Sequence, residues 1–169
     1  MKQSGIQSTI FLVAGMILVM TVGCGEQLTE QQLLAKVQDF QDSQQWEKVA
    51  DTYDTLLQSY PESDKAPEYM YNLGMVYSNN LQDYDKAVET WEQLLEQYPD
   101  SHLLTNTKFM IGYCYANNIQ DLDKAREKYQ AFLQKHPDHE LAPSVKWELD
   151  HLGQDISDIE LELNANVTE

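Results

Sequence analysis

Three stretches of the chain share one hydrophobic pattern: Glu47 to Pro61 (EKVADTYDTLLQSYP), Asp85 to Pro99 (DKAVETWEQLLEQYP) and Asp123 to Pro137 (DKAREKYQAFLQKHP). Apolar residues recur at three- and four-residue intervals with charges between them, which predicts an amphipathic helix stopped near its proline. Upstream of two of these stretches lie Tyr69 to Asn80 (YMYNLGMVYSNN) and Lys108 to Asn118 (KFMIGYCYANN). Their spacing is also helical. Each is expected to end at its Asn pair, because asparagine tolerates the left-handed conformation common at helix C-termini. Each unit is therefore a helix hairpin, with helix A followed by helix B.

The hairpins are copies of one another. Tyr60-Pro61, Tyr98-Pro99 and His136-Pro137 are spaced by 38 residues, and the positions upstream keep step: Trp46, Tyr84 and Leu122; Val49, Ala87 and Ala125; Tyr53, Trp91 and Tyr129; Leu57, Leu95 and Leu133. A lone hairpin cannot bury its apolar face, so the units must stack, and three units stand at the lower limit of stability. Pro143 to Gly153 (PSVKWELDHLG) aligns with helix A of an absent fourth unit and carries Lys146, Glu148, Asp150 and His151 outward, as a cap would. The fold class expected is all-α.

A small residue and an aromatic on helix A, then a small residue, an aromatic and a closing proline on helix B, are matched by Gly74, Tyr77, Ala87, Trp91 and Pro99, and again by Gly112, Tyr115, Ala125, Tyr129 and Pro137. These residues resemble the tetratricopeptide repeat. In the first unit Phe40, Val49, Tyr53 and Pro61 fit, but Val37 stands at the small helix A position. Each unit exceeds the family's usual 34 residues: one extra residue lies in the turn inside the second and third hairpins, and three lie in the joints Pro61 to Met70 and Pro99 to Lys108. That joint, with its Tyr-Pro-x-Ser wording at Tyr60 to Ser63 and Tyr98 to Ser101, is similar to the periplasmic repeat proteins of the BamD and YbgF (Tol-Pal associated) type. The resemblance implies a right-handed superhelical stack whose helix A faces line a concave groove that receives a peptide or a partner helix. The packing logic agrees: a small residue where two helices cross lets their backbones approach, and an aromatic fills the space beside it.

Before the repeats, Lys2 is the only charge ahead of Glu26, and the apolar run Ile10 to Val22 ends in Gly23-Cys24-Gly25, which reads as a secretory signal peptide. Thr21-Val22-Gly23-Cys24 resembles the lipobox of bacterial lipoproteins, with Thr21 where the family usually has leucine. The resemblance implies a Cys24 that is diacylated and becomes the mature N-terminus. With Gly25 and not aspartate next, it implies the periplasmic face of an outer membrane. The other reading is an uncleaved membrane anchor, since residues 3–25 are just long enough to span a bilayer. The organisation expected is a signal peptide over 1–23, a short tether over 24–32, a repeat domain over 33–153 (units 33–65, 66–103 and 104–141, cap 142–153) and an acidic tail over 154–169. Ile156, Ile159, Leu161 and Leu163 in that tail allow either a free terminus or an added strand or helix on a partner.

Composition narrows the function. Lys+Arg 11 against Asp+Glu 28 gives a formal net charge of -17, and the one arginine, Arg126, has only scattered lysines for company. Nucleic-acid binders gain affinity by neutralising phosphates with clustered basic groups, so that class is excluded, whereas a basic protein partner is favoured. No glycine-rich phosphate loop, H-E-x-x-H or nucleophile elbow occurs. His136, Asp138, His139 and Glu140 are metal-ligand types, yet His136 occupies the repeat's Tyr position and His139 its capping Ser position. Cys114 aligns with Val76 and Leu152 and reads as core. No catalysis, cofactor, metal or small-molecule substrate is predicted.

A set of apolar residues is left over. Met70, Leu73, Gly74 and Tyr77 suffice for packing, and Ile111, Gly112 and Tyr115 repeat the set; Tyr71 with Met75, Phe109 with Tyr113, and Trp147 form a stripe at the 38-residue period. Either this stripe lines the groove as a partner-binding site, with Asn72, Asn79, Asn106 and Asn117 beside it, or the longer joints roll helix A so that the stripe is buried. The function expected is a non-catalytic, lipid-anchored adaptor that binds another envelope protein through this face. The alternative is a permanent structural subunit within a larger membrane complex.

Overall fold

Thr29 opens the first helix with a capping box. Its side chain accepts from the Gln32 N–H at 3.2 Å while Gln32 Oε1 accepts from the Thr29 N–H at 2.8 Å, which satisfies two donors that a helix start otherwise orphans. The computed structural model describes residues 27–154. The signal peptide, Cys24, most of the tether and the tail beyond Gln154 lie outside them. Among the described residues there are seven α-helices and no strand: α1 (Glu30–Asp42), α2 (Trp46–Ser59), α3 (Ala66–Val76), α4 (Tyr84–Gln97), α5 (Leu104–Cys114), α6 (Leu122–Lys135) and α7 (Ala142–Asp150). Each helix packs chiefly on its neighbours in sequence. The chain is thus an all-α stack of three hairpins, α1/α2, α3/α4 and α5/α6, followed by the single helix α7. None of these helices is long and apolar enough to cross a membrane.

The turn inside each hairpin departs from expectation. In the first, Gln45 N–H bonds to Phe40 O (2.8 Å) and Gln44 N–H to Gln41 O (3.0 Å), the double closure of a Schellman end, with Gln44 left-handed at φ 54. In the second and third, the extra residue widens the last turn of helix A into a π-helix, Tyr77–Leu81 and Tyr115–Ile119, and the left-handed residues are Gln82 (φ 55) and Gln120 (φ 62). The Asn pairs therefore sit inside the π-turns and do not supply the left-handed residue. The π-turn houses the extra residue within helix A, and Gln44, Gln82 and Gln120 keep the same place just ahead of helix B at Trp46, Tyr84 and Leu122.

The joints between units explain the other three residues. Helix B ends as its C-cap residue takes the extended side of φ/ψ space before proline: Tyr60 (φ -134), Tyr98 (φ -125) and His136 (φ -135). Two successive turns follow. Ser63 N–H bonds to Tyr60 O and Ala66 N–H to Ser63 O, and the same pair recurs at Ser101 and Leu104 and at His139 and Ala142. Ser63 Oγ accepts from the Lys65 N–H, Ser101 Oγ from the Leu103 N–H, and His139 Nδ1 from the Leu141 N–H. His139 thus takes over the serine's work. Two core clusters result, one around Leu33, Tyr53, Leu56 and Leu73, the other around Trp91, Ile111, Tyr129 and Phe132.

The third joint carries a pH-sensitive contact. Lys108 Nζ donates to His136 Nε2 at 3.2 Å, where Tyr60 and Tyr98 instead use their hydroxyls on the Leu28 and Pro61 carbonyls. Burial first, then the cations Lys108, His139 and Lys135, hold the His136 pKa below its ordinary value. The unfolded chain therefore binds the proton first, so this contribution to stability is complete above the unfolded histidine pKa of about 6.5 and declines as pH falls through that value toward the folded one. Replacing His136 by the tyrosine of the other units is expected to flatten the fall in denaturation midpoint between pH 7.5 and pH 5.5. An unchanged slope in the variant would contradict this assignment.

Candidate protein-binding face

Two glycines set how helix A meets helix B. A Cβ on Gly74 would lie 2.2 Å from Trp91 Nε1, and one on Gly112 would lie 2.7 Å from Tyr129 Cε1. Both aromatic rings are 0% exposed. The Trp91 indole also donates to the Tyr71 carbonyl at 3.2 Å, which locks helix α3 over the ring. With the roll of α3 and α5 fixed in this way, the residues three before and one after each glycine fall beside the crossing: Tyr71 and Met75 on α3, Phe109 and Tyr113 on α5. At the end of the stack the same two places hold Trp147 on α7 and His151 at its C-cap.

This row is neither fully open nor fully buried; it opens toward the C-terminal end. Tyr71, Met75 and Phe109 are half-buried against the second core cluster, and Phe109 stacks on Tyr129 with ring centroids 6.5 Å apart. Tyr113 is 39% and Trp147 48% exposed. Each helix A is sheltered by the unit that follows it, and among the described residues no unit follows α7, so the last members of the row are the more exposed ones. Leu149 and Leu152 are half-buried for the same reason, whereas Ile111 and Cys114 one unit earlier are buried.

Tyr113, Leu122 and Trp147 are the large hydrophobic side chains that stand exposed among the described residues, and all three line one depression of about 700 Å³. Asn117, Glu148 and His151 complete its polar rim. The Trp147 and His151 rings stack at 4.5 Å, and Asn117 Nδ2–H donates to the Tyr113 carbonyl at 3.3 Å. Of the residues singled out in the sequence, the structure therefore gathers Tyr113, Trp147 and Asn117. Asn79 is exposed in its π-turn, Asn106 is exposed on the first turn of α5, and Asn72 is exposed beside the Tyr53 hydroxyl; none of the three lines the depression. Leu122, Glu148 and His151 were not singled out for this face. Their signal was the lack, among the described residues, of a fourth helix B beside α7.

Behind the rim sits an unusual group. Tyr129 is buried and its hydroxyl has no hydrogen-bond partner among the described residues. Burial, and after it the charge of Glu148, raises its pKa, which places the carboxylate close by. A buried hydroxyl without a partner costs about 1–3 kcal/mol. Tyr129→Phe is expected to raise the stability by about 1 kcal/mol in a denaturant titration; a fall would mean that the hydroxyl is satisfied after all.

The remaining reactive types have structural work. Cys114 is buried, its Sγ–H is directed at the Tyr84 carbonyl at 3.9 Å, and burial, with Asp85 adding to it, pushes its thiol up to about 11, far from the thiolate needed for nucleophilic chemistry. His136 and His139 flank Phe132 in the third joint. Among the described residues no group of three His, Cys, Asp or Glu side chains is placed to hold a metal ion.

The glycine–aromatic crossing recurs at the 38-residue period in α3/α4 and α5/α6. Residues 68–101 and 107–139 match the tetratricopeptide repeat. No curated protein matches the chain. The two matched tetratricopeptide segments take in most of α3/α4 and α5/α6, the hairpins that have a glycine at the crossing; α1/α2, with Val37 in that place, and α7 fall outside the match.

Proposed function

We propose that the chain is a non-catalytic adaptor that holds another protein on the helix A side of its stack. The observation that carries this reading is the clustering of Tyr113, Leu122 and Trp147 in one depression. Exposed aromatics gathered beside polar groups, on a surface that packing does not require, are the mark of an interaction site. The match to the tetratricopeptide repeat supports a protein-binding role. The outward faces of α4 and α6 carry exposed Glu89, Glu92, Glu96, Glu127 and Gln130, a polar surface that favours engagement through one side over envelopment within a complex.

The adaptor is placed in the cell envelope by its N-terminus. Gly23-Cys24 is the cleavage and acylation site, so the mature protein is tethered by lipid on Cys24 at the periplasmic face of an outer membrane. Its partner is an envelope protein of the kind served by BamD- or YbgF-type lipoproteins, with a basic segment that suits the net charge of -17.

Two measurements test this. Palmitate labelling in vivo should be lost in Cys24→Ser, and an unlabelled parent would remove the anchor. A photo-crosslinking residue at position 75 or 113 should trap one discrete partner that position 130 does not trap. Equal yields from 113 and 130 would remove the adaptor face.

A further inference from the structure

The depression at the end of the stack has a chemistry more specific than apolarity. Its lining contains the rings of Tyr113, Trp147 and His151, the carboxylate of Glu148, the amides of Asn117, Gln120 and Gln154, and no lysine or arginine. Two lysines of the neighbouring helix α6 are committed elsewhere. Lys124 is paired with Asp121 at 3.3 Å and lies over the Tyr115 ring at 4.9 Å, and Lys128 is paired with Glu92 at 2.9 Å. Glu148 is half-buried and makes no ion pair among the described residues.

An aromatic face beside a partly desolvated carboxylate is the arrangement that attracts an organic cation, because the ring's negative face and the carboxylate act on the same charge. Tyr129 OH behind the rim is neutral and Tyr113 presents a hydroxyl, while the exposed charges that flank Glu148 on α7, Lys146 and Asp150, are of opposite sign. The only imidazole on the lining, His151, lies against the Trp147 ring, and its Nδ1–H donates to the Trp147 carbonyl at 2.8 Å.

We infer that this depression is the anchor point for a basic segment of the partner, taking an arginine or lysine side chain between Trp147 and Tyr113 with Glu148 as its counter-charge. The inference rests on the adaptor reading and supplies its specificity: the aromatics give contact area, and Glu148 selects a cation over a neutral side chain of the same shape. The charge of the whole chain draws the same segment in from a distance.

The test uses the full chain at pH 8 and low ionic strength with a short end-blocked peptide carrying arginines among alanines, and its isostere with citrulline at each arginine. The indole N–H resonance of Trp147 is the reporter. A saturable shift with the arginine peptide is expected, at least five-fold weaker affinity for the citrulline peptide, a similar weakening in Glu148→Gln, and no saturation in Tyr113→Ala; Tyr113 is exposed, and glutamine keeps the size of the half-buried Glu148, so the variants should fold. Equal affinity for the two peptides, or no shift at Trp147, would overturn the inference. Failure here alongside one-sided crosslinking from position 113 would remove the cation pocket and leave the adaptor; failure of both would remove both.

Discussion

The Gly74→Ala chain is expected to be less stable than its parent by about 2 kcal/mol, although alanine is the better helix former. Alanine in place of glycine within a helix is ordinarily worth up to about 1 kcal/mol in the stabilising direction. Here the added methyl would stand 2.2 Å from Trp91 Nε1 and 2.6 Å from Cδ1, so either the ring or α3 must move. The ring is 0% exposed and has no free volume to retreat into, and movement of α3 breaks its hydrogen bond to the Tyr71 carbonyl. Overpacking of this kind costs about 1–3 kcal/mol and sometimes more. Because α3 and α4 form the middle hairpin of three, the loss is felt by both core clusters and cannot be confined to one end. A drop of roughly 8 °C in Tm follows at about 4 °C per kcal/mol. The control is a double-mutant cycle. With Trp91→Leu, which by itself removes buried aromatic surface and should cost about 3 kcal/mol, the alanine is expected to become neutral or favourable. A Gly74→Ala protein that melts with its parent, or an effect of the same size in the Trp91→Leu background, would show that the crossing is not what holds the hairpin.

That crossing was legible in the sequence because it is written in residue types that recur. Gly74 and Gly112 stand 38 apart, as do Trp91 and Tyr129. The joints were legible as lengths but not as conformations. Three extra residues between Pro61 and Met70 told of a longer connection, and only the structure shows that they make two successive turns with a side-chain acceptor at Ser63, Ser101 or His139. The π-turns were hidden for a related reason. One extra residue can be housed in a loop or in a widened helical turn, and the Asn pairs satisfy either; which backbone takes the left-handed place depends on the hydrogen bonds available to Gln82 and Gln120. The stripe was half legible. Its members could be named from what packing did not need, yet their exposure is set by neighbours that periodicity does not weigh, above all the absence, among the described residues, of a helix after α7.

The graded exposure of the stripe makes its two halves separable. Tyr113→Ser with Trp147→Ser should change stability by no more than about 1 kcal/mol, since surface substitutions remote from caps and buried networks usually fall within ±0.5 kcal/mol each. Tyr71→Ser with Phe109→Ser should cost about 4 kcal/mol. Both side chains are half-buried against the cluster around Trp91 and Tyr129, and truncating a fully buried aromatic costs about 3–5 kcal/mol, of which roughly half applies to each. Phe109 carries the larger share because its ring stacks on Tyr129 as well as lying 6.1 Å from Tyr113. Partner capture should then divide the other way. The Tyr113/Trp147 double variant, folded, should lose the crosslink formed from position 75, because the anchoring aromatics are gone while the reporter is untouched. The Tyr71/Phe109 variant should recover capture when assayed below its lowered Tm, since it keeps Tyr113, Trp147 and Glu148 in place. If instead the stable variant still captures the partner and the unstable one does not, the half-buried end of the row is the contact surface, and the exposed end serves only as the bare terminus of a stack.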